Sequence, residues 1–141
     1  MDKFEKLFAD FPCILTDELV KKNAAEILAQ HTEENNNREV WMQCLHQIDL
    51  TTLNGEDTTA KVAKMAERVN DFDGNFPGVP NVAAMCVYPA LVETAREVLT
   101  EPIGIAAVAA GFPASQTFIE VKVAEAAMAV AVGATEIDIV I

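Results

Sequence analysis

Positive charge is scarce in this sequence: 10 lysines and arginines face 22 aspartates and glutamates in 141 residues, a formal net charge of −12. A surface so acidic repels a phosphate backbone instead of neutralising it by counterion release, which excludes nucleic acid as a partner. Cysteine and histidine are sparse too. Cys13, Cys44 and Cys86 are odd in number and far apart, with no CxxC pair and only His31 and His46 beside them. Neither a disulfide framework nor a metal site is supported by that inventory. Long apolar runs are missing as well: Ile103–Ala114 and Val123–Ala134 are too short to span a bilayer, and Glu125 sits in the second. The N-terminal MDKFEKLFADFPCIL lacks the basic region and unbroken apolar core of a secretory signal, so a cytoplasmic location is expected. What is plentiful is apolar side chain, 51% of the residues, enough to bury a sizeable core in one compact unit.

Residues 1–43 read as a helical N-terminal extension, distinct from residues 44–141. Thr16 can cap a helix that lines up Leu19, Val20, Ala24, Ile27 and Leu28, and the polar run from His31 to Asn37 ends it. A second short helix is expected over Asn37–Gln43, and nothing in this extension suggests chemistry beyond packing. From Cys44 the pattern changes to short apolar runs alternating with helical periods. Strands are expected over Cys44–Leu50, Asn81–Tyr88, Ile103–Ala109 and Glu136–Ile141. Between them lie three helices: one opened by Asn54-Gly-Glu-Asp with Val62, Met65 or Ala66, and Val69 on a face; one over Ala90–Leu99 aligning Leu91, Ala95 and Val98; and one over Gln116–Val132, capped by Ser115 and ended by Gly133. Alternating strands and crossover helices of this length imply parallel strands and an α/β fold.

Periodicity alone leaves open whether the sheet is doubly wound or part of a barrel. The absence of any GxGxxG or phosphate-loop glycine pattern after a strand favours a (β/α) barrel. A complete eight-fold barrel needs roughly 250 residues, so four strands and three crossover helices would make its first half. The apolar run into Ile141, with no polar tail behind it, adds the expectation that this is a piece of a longer chain.

Polar residues at strand ends are the candidates for chemistry, because in a barrel the carboxyl ends of the strands converge on one pocket. Asp49 closes the first strand ahead of Leu50-Thr-Thr-Leu53, Cys86 lies in the second, and Asp138 sits between Ile137 and Ile139 in the fourth. Each has an ordinary alternative: a turn residue for Asp49, an inert small hydrophobe for Cys86, and the outer side of a half-exposed strand for Asp138. Lys122 and Glu125, three residues apart on the last helix, read as an ion pair.

Four segments in order carry a resemblance: Asp49-Leu-Thr-Thr-Leu53, Ala84-Met-Cys-Val-Tyr-Pro89, Ala110-Gly-Phe-Pro113, and Lys122-Val-Ala-Glu125 leading into Gly133-Ala-Thr-Glu-Ile-Asp-Ile-Val140. Together they resemble the deoxyribose-phosphate aldolase family over about Gln47 to Ile141; the extension reaches beyond that family's usual short leader. The resemblance implies the N-terminal half of a (β/α)8 barrel, a metal-free class I aldolase without a cofactor, and a phosphosugar substrate, 2-deoxy-D-ribose 5-phosphate. It gives Asp138 the catalytic carboxylate's role, with Asp49 on a substrate hydroxyl, Leu53 against the carbon chain and Cys86 near the reacting end. The family's Schiff-base lysine, its accompanying lysine and its phosphate site fall beyond Ile141, and Lys61, Lys64 and Lys122 do not match the nucleophile. An inactive fragment is therefore expected. The other reading is a non-catalytic half-barrel that associates with a second copy; a homo-oligomer is expected, especially of the fragment, because an open half-barrel leaves a strand edge bare.

Overall fold

The computed structural model describes residues 2–11 and 14–141; Cys13 lies outside the described residues. Contacts divide the chain into two units, the first running to Val40 and the second from Trp41 to Ile141.

The first unit is helical. It holds α1 (Lys3–Asp10) and α2 (Asp17–Asn35), and the next helix, α3 (Arg38–His46), begins in it. Thr16 Oγ1 accepts the amide of Leu19 at 3.2 Å, so α2 starts where its cap dictates. Along α2 a Lys22–Glu26 pair at 3.7 Å and a His31–Glu34 contact join neighbouring turns. The apolar stripe Leu19, Val20, Ala24, Ile27 and Leu28 is present, but no residue of α2 is buried.

The second unit is α/β. After α3 come β1 (Asp49–Thr51), α4 (Thr59–Asn70), the single turn α5 (Phe72–Asn75) and β2 (Ala84–Val87). A short 3-10 turn (Pro89–Leu91) leads into α6 (Val92–Val98), followed by β3 (Gly104–Ala109), α7 (Ile119–Ala131) and β4 (Glu136–Ile139). All four strands are parallel in the order β1-β2-β3-β4, the architecture of half a (β/α)8 barrel. The register pairs Thr51 with Cys86, Cys86 with Ala106, and Ala106 with Glu136.

Helices cover one side of this sheet. Val62, Ala66 and Val69 of α4, Val92 and Ala95 of α6, and Ala129 of α7 close over Met85, Val87, Ile105 and Ala107. The first three recur at spacings of four and three, the periodicity that selects one helix face. Asn70 ties this layer together: its Nδ2 donates to the Val98 carbonyl at 2.9 Å and its Oδ1 accepts the Thr100 amide at 2.8 Å. Gly133, at φ +113°, turns the chain from α7 into β4, and a Cβ there would also strike the Arg96 side chain.

Three sequence expectations are corrected. The first strand does not run over Cys44–Leu50: Cys44, Leu45 and His46 finish α3, and pairing with β2 begins only at Asp49. His46 Nδ1 donates to the Asn81 carbonyl at 2.9 Å, a contact that a helical end supplies. The Asn54–Asp57 segment is a turn ahead of α4, which starts at Thr59 because Thr58 Oγ1 takes the Lys61 amide at 3.2 Å. Ser115 does not cap α7. Its backbone is left-handed at φ +57°, its amide closes a turn onto the Gly111 carbonyl, and the helix waits until Ile119.

Met85 is fully buried, so Met85→Ala is expected to lower stability by about 2–5 kcal/mol through a lost apolar contact and a residual cavity. Val123 is 65% exposed, and Val123→Ala is expected to stay within about 0.5 kcal/mol. Urea denaturation of both variants checks the assignment of inside and outside; equal losses would contradict it.

Candidate functional site

Successive side chains of a strand point to opposite faces, so burying Leu50, Met85, Val87, Ile105, Ala107 and Ile137 under the helices sends their neighbours to the other face. That second face carries Asp49 and Thr51 from β1, Ala84 and Cys86 from β2, Gly104, Ala106 and Val108 from β3, and Glu136 and Asp138 from β4. Among the described residues of the second unit, Ala84, Cys86, Ala106 and Val108 form a small apolar floor on it, joined at its margin by Leu53, Tyr88 and Phe112 and by no helical residue. The four candidates Asp49, Leu53, Cys86 and Asp138 thus come together on one surface although up to 89 positions separate them in sequence. Asp49 and Asp138 are exposed there, Leu53 is half-buried and Cys86 is buried.

Register fixes their relative heights. Asp49 pairs with Ala84 and Ala84 with Gly104, which stands two positions before Ala106 and therefore level with Ala134; Asp138 is four residues further on. A barrel of eight strands and shear eight staggers neighbouring strands by about one residue each. Three strand steps thus account for most of the offset, and Asp49 and Asp138 belong to neighbouring layers of one wall.

Cys86 reports the electrostatics of this wall. Burial pushes its thiol pKa up, the charges of Asp138, Asp49 and Glu136 push it the same way, and a side-chain hydrogen bond with Thr51 opposes them. The thiol therefore stays protonated at neutral pH and acts as a lining group, not as a nucleophile. Thr51 and Glu136 escaped the sequence reading. Each stands two positions from a candidate on its own strand, so the period of two that placed Asp49 and Asp138 on one face placed them there too.

The loops at the carboxyl ends are linked. Tyr88 Oη donates to the Leu53 carbonyl at 3.2 Å, and its ring meets that of Phe112 edge-on with centroids 6.2 Å apart. The loop carrying Leu53 closes around Asp57, whose side chain is 1% exposed. Asp57 accepts from Lys61 Nζ at 2.5 Å, Thr52 Oγ1 at 2.8 Å and the Asn54 amide at 3.0 Å. The Lys61 bond is the largest of the effects that hold its pKa at about 2. Further round the rim, Glu125 Oε2 accepts the Gly111 amide at 3.0 Å and Lys122 donates to Ser115. The expected Lys122–Glu125 ion pair is therefore replaced by two separate bonds into the β3–α7 loop, which need both groups on the sheet side of α7.

Every lysine of the chain stands on a helix, Lys61 and Lys64 on α4 and Lys122 on α7 among them, and none on a strand. Among the described residues, no group of three or more His, Cys, Asp or Glu side chains is placed to hold a metal ion, and no helix is long and apolar enough to cross a membrane. A groove of about 600 Å3 runs between the Pro89–Leu91 turn and α7 on the helical side, lined by Tyr88, Glu93 and Met128 but by none of the four candidates.

No protein-family model matches the chain. Deoxyribose-phosphate aldolase of Homo sapiens is 36% identical over 135 residues, covering 86% of this chain and 42% of that protein. The Bos taurus protein of that name is 34% identical with the same coverage. The chain thus spans about two fifths of the length of these curated relatives. Among solved structures, one described as QR15, an aldolase, aligns with a TM-score of 0.57 at 25% identity over 67% of this chain and 38% of its own. The tetrameric deoxyribose phosphate aldolase of Aeropyrum pernix aligns with a TM-score of 0.59 over 77% of this chain and 43% of its own; at 20% identity it supports the fold alone.

Two outcomes are expected. Iodoacetamide at pH 8 should label exposed Cys44 ahead of Cys86 by about an order of magnitude or more, read by peptide mass; equal rates would refute the protonated, buried thiol. Asp57 has a native pKa of about 2 against an ordinary 3.8, so the unfolded chain binds more protons between these values. Its stabilising effect is complete above that window and is lost as pH falls through it. Acid denaturation from pH 5 to 2 should be less steep in Asp57→Asn than in the parent chain, and identical slopes would contradict the network.

Proposed function

We propose, from the premise that this chain corresponds to an N-terminal portion of deoxyribose-phosphate aldolase, that it supplies one wall of a class I aldolase site. The reaction is the reversible cleavage of 2-deoxy-D-ribose 5-phosphate to D-glyceraldehyde 3-phosphate and acetaldehyde. The observation that carries this reading is the convergence of Asp49, Cys86 and Asp138 on the sheet face opposite α4, α6 and α7.

In such a reaction a lysine amine adds to the sugar carbonyl and water departs, leaving an iminium ion. The carbon–carbon bond then breaks with its electron pair drawn toward the iminium nitrogen, and the hydroxyl on the departing aldehyde loses its proton. Each addition and elimination needs a proton moved at the right atom. Asp138, exposed on that face, is the residue proposed to hold that proton or the water that carries it. Asp49, from the neighbouring layer, accepts a hydrogen bond from a substrate hydroxyl. Leu53 lies against the carbon chain, and the neutral Cys86 thiol fills the floor near the reacting end. The lysine is proposed to come from outside these residues, a view supported by the helical placement of every lysine in the chain. Phosphate recognition is proposed to come from outside as well, in keeping with the shortage of cations, and the intact enzyme to be a cytoplasmic homo-oligomer.

Incubation of the 141-residue chain with acetaldehyde and borohydride should leave its 15.3 kDa mass without a stoichiometric two-carbon adduct, and it should not cleave deoxyribose 5-phosphate. Cleavage that vanished in Asp138→Asn would place a nucleophile within these residues and overturn that part. In a longer chain that turns over, Asp138→Asn should cost about 10²–10⁴ in kcat with thermal stability retained; parallel loss of both would make Asp138 structural.

A second reading rests on the two sheet edges, β1 and β4, that no strand pairs among the described residues. Bare edges invite pairing, and Ile139 at 60% exposure adds an apolar side chain there. On this reading the chain is a half-barrel that associates with a second copy, and sedimentation at micromolar concentration should find dimers; a stable monomer would refute it.

A further inference from the structure

Side chains of α7 reach back to the carboxyl end of the sheet. Lys122 Nζ donates to Ser115 Oγ, and Ser115 Oγ donates in turn to the Val140 carbonyl at 3.1 Å. Three residues beyond Lys122 on the same helix, Glu125 takes the Gly111 amide, so α7 holds the β3–α7 loop at its start and at its middle. Lys122, Glu125 and Ser115 are all half-buried, where such bonds are less diluted by water than at the open surface. A cation donating to a hydroxyl that donates to a carbonyl polarises each link in the same direction, and a charged donor makes the stronger kind of hydrogen bond.

The backbone at Ser115 explains why this is more than an incidental contact. Its φ of +57° lies in the left-handed region, where a Cβ is penalised and glycine is the undemanding choice. What serine brings to that position is a hydroxyl, and the structure uses it twice, once as acceptor and once as donor. The carbonyl it grips is two residues beyond Asp138. Among the described residues β4 pairs only with β3, and the amide of Val140 reaches the Ala109 carbonyl at a long 3.4 Å, so the sheet holds this end of the strand weakly. The hydroxyl supplies the second attachment.

We propose that Ser115 and Lys122 are positioning residues, which together fix the carboxyl end of β4 and thereby the direction of the Asp138 carboxylate. The function of that positioning rests on the role proposed for Asp138 above. Lys122 is accordingly a lysine near the site whose ammonium is committed to a hydroxyl, with no part as a nucleophile.

The test is made on the 141-residue chain and needs no aldolase activity. Amide hydrogen exchange at Val140 and the side-chain carboxyl carbon resonance of Asp138 at neutral pH, assigned by its loss in Asp138→Asn, are followed by NMR. Ser115→Gly removes the hydroxyl while relieving the left-handed backbone, so its melting temperature should hold or rise. Exchange at Val140 should nonetheless accelerate by about tenfold, the equivalent of one net hydrogen bond, and the Asp138 carboxyl resonance should shift as its surroundings change. Lys122→Met should reproduce both changes, and Lys122→Arg should restore the parent values. Val140 exchange or the Asp138 carboxyl resonance unmoved in either Ser115→Gly or Lys122→Met would overturn the proposal. Failure of the aldolase reading would appear elsewhere, as undiminished turnover of a longer Asp138→Asn chain, and would leave these two readouts standing.

Discussion

Alternation along four parallel strands is the constraint from which the rest of the structure follows. Helices α4, α6 and α7 need an apolar sheet face, and Leu50, Met85, Val87, Ile105, Ala107 and Ile137 provide it. Once those side chains are committed inward, the period of two leaves Asp49, Thr51, Cys86, Glu136 and Asp138 no direction but the opposite face. Carboxylates that would be costly in the helix-packed layer are thereby gathered on one wall, where burial first, and their charges after it, raise the pKa of the Cys86 thiol. A one-residue slip of β4 would exchange Asp138 for Ile137 or Ile139 and empty the wall of its catalytic candidate.

A wall of side chains is of use only if its loops hold still, and here the polar residues outside the strands do that work. Asp57 closes the loop after β1 through Lys61, Thr52 and Asn54. Tyr88 links that loop to β2 and, through Phe112, to the loop after β3; Ser115 carries the connection on to β4. The carboxyl ends of all four strands are therefore joined in chain order by contacts that lie outside the sheet's own ladder. The two lysines in this rim, Lys61 and Lys122, each serve a hydrogen bond, which accounts for cations in a chain that has few.

Much of this was legible in the sequence, and the limits have physical causes. β2 and β3 are buried strands and read as apolar runs between turn residues; Val62, Ala66 and Val69 announced a buried helix face by their spacing. β1 was misjudged because its three paired residues are too few to show a period, while the residues before them suit a helix end as well as a strand. The start of α7 was misjudged because serine is a common cap, and nothing local says that Ser115 is left-handed with its hydroxyl directed at Val140. The positions of Asp49, Cys86 and Asp138 on one wall were foreseeable from strand ends and from the resemblance. Asp57 was not, since its partners meet it through a loop closure that leaves no periodic trace.

The claim on which this account turns is that charges from β1 and β4 face the Cys86 thiol of β2 across a single surface. Titrating that thiol in the parent chain and in Asp138→Asn, with Cys13 and Cys44 both replaced by serine to isolate the signal, tests it most directly. Removing the Asp138 charge should lower the Cys86 pKa, because that charge raises it. An unchanged titration would mean that Asp138 does not share the wall with Cys86, and the proposed site would lose its geometry.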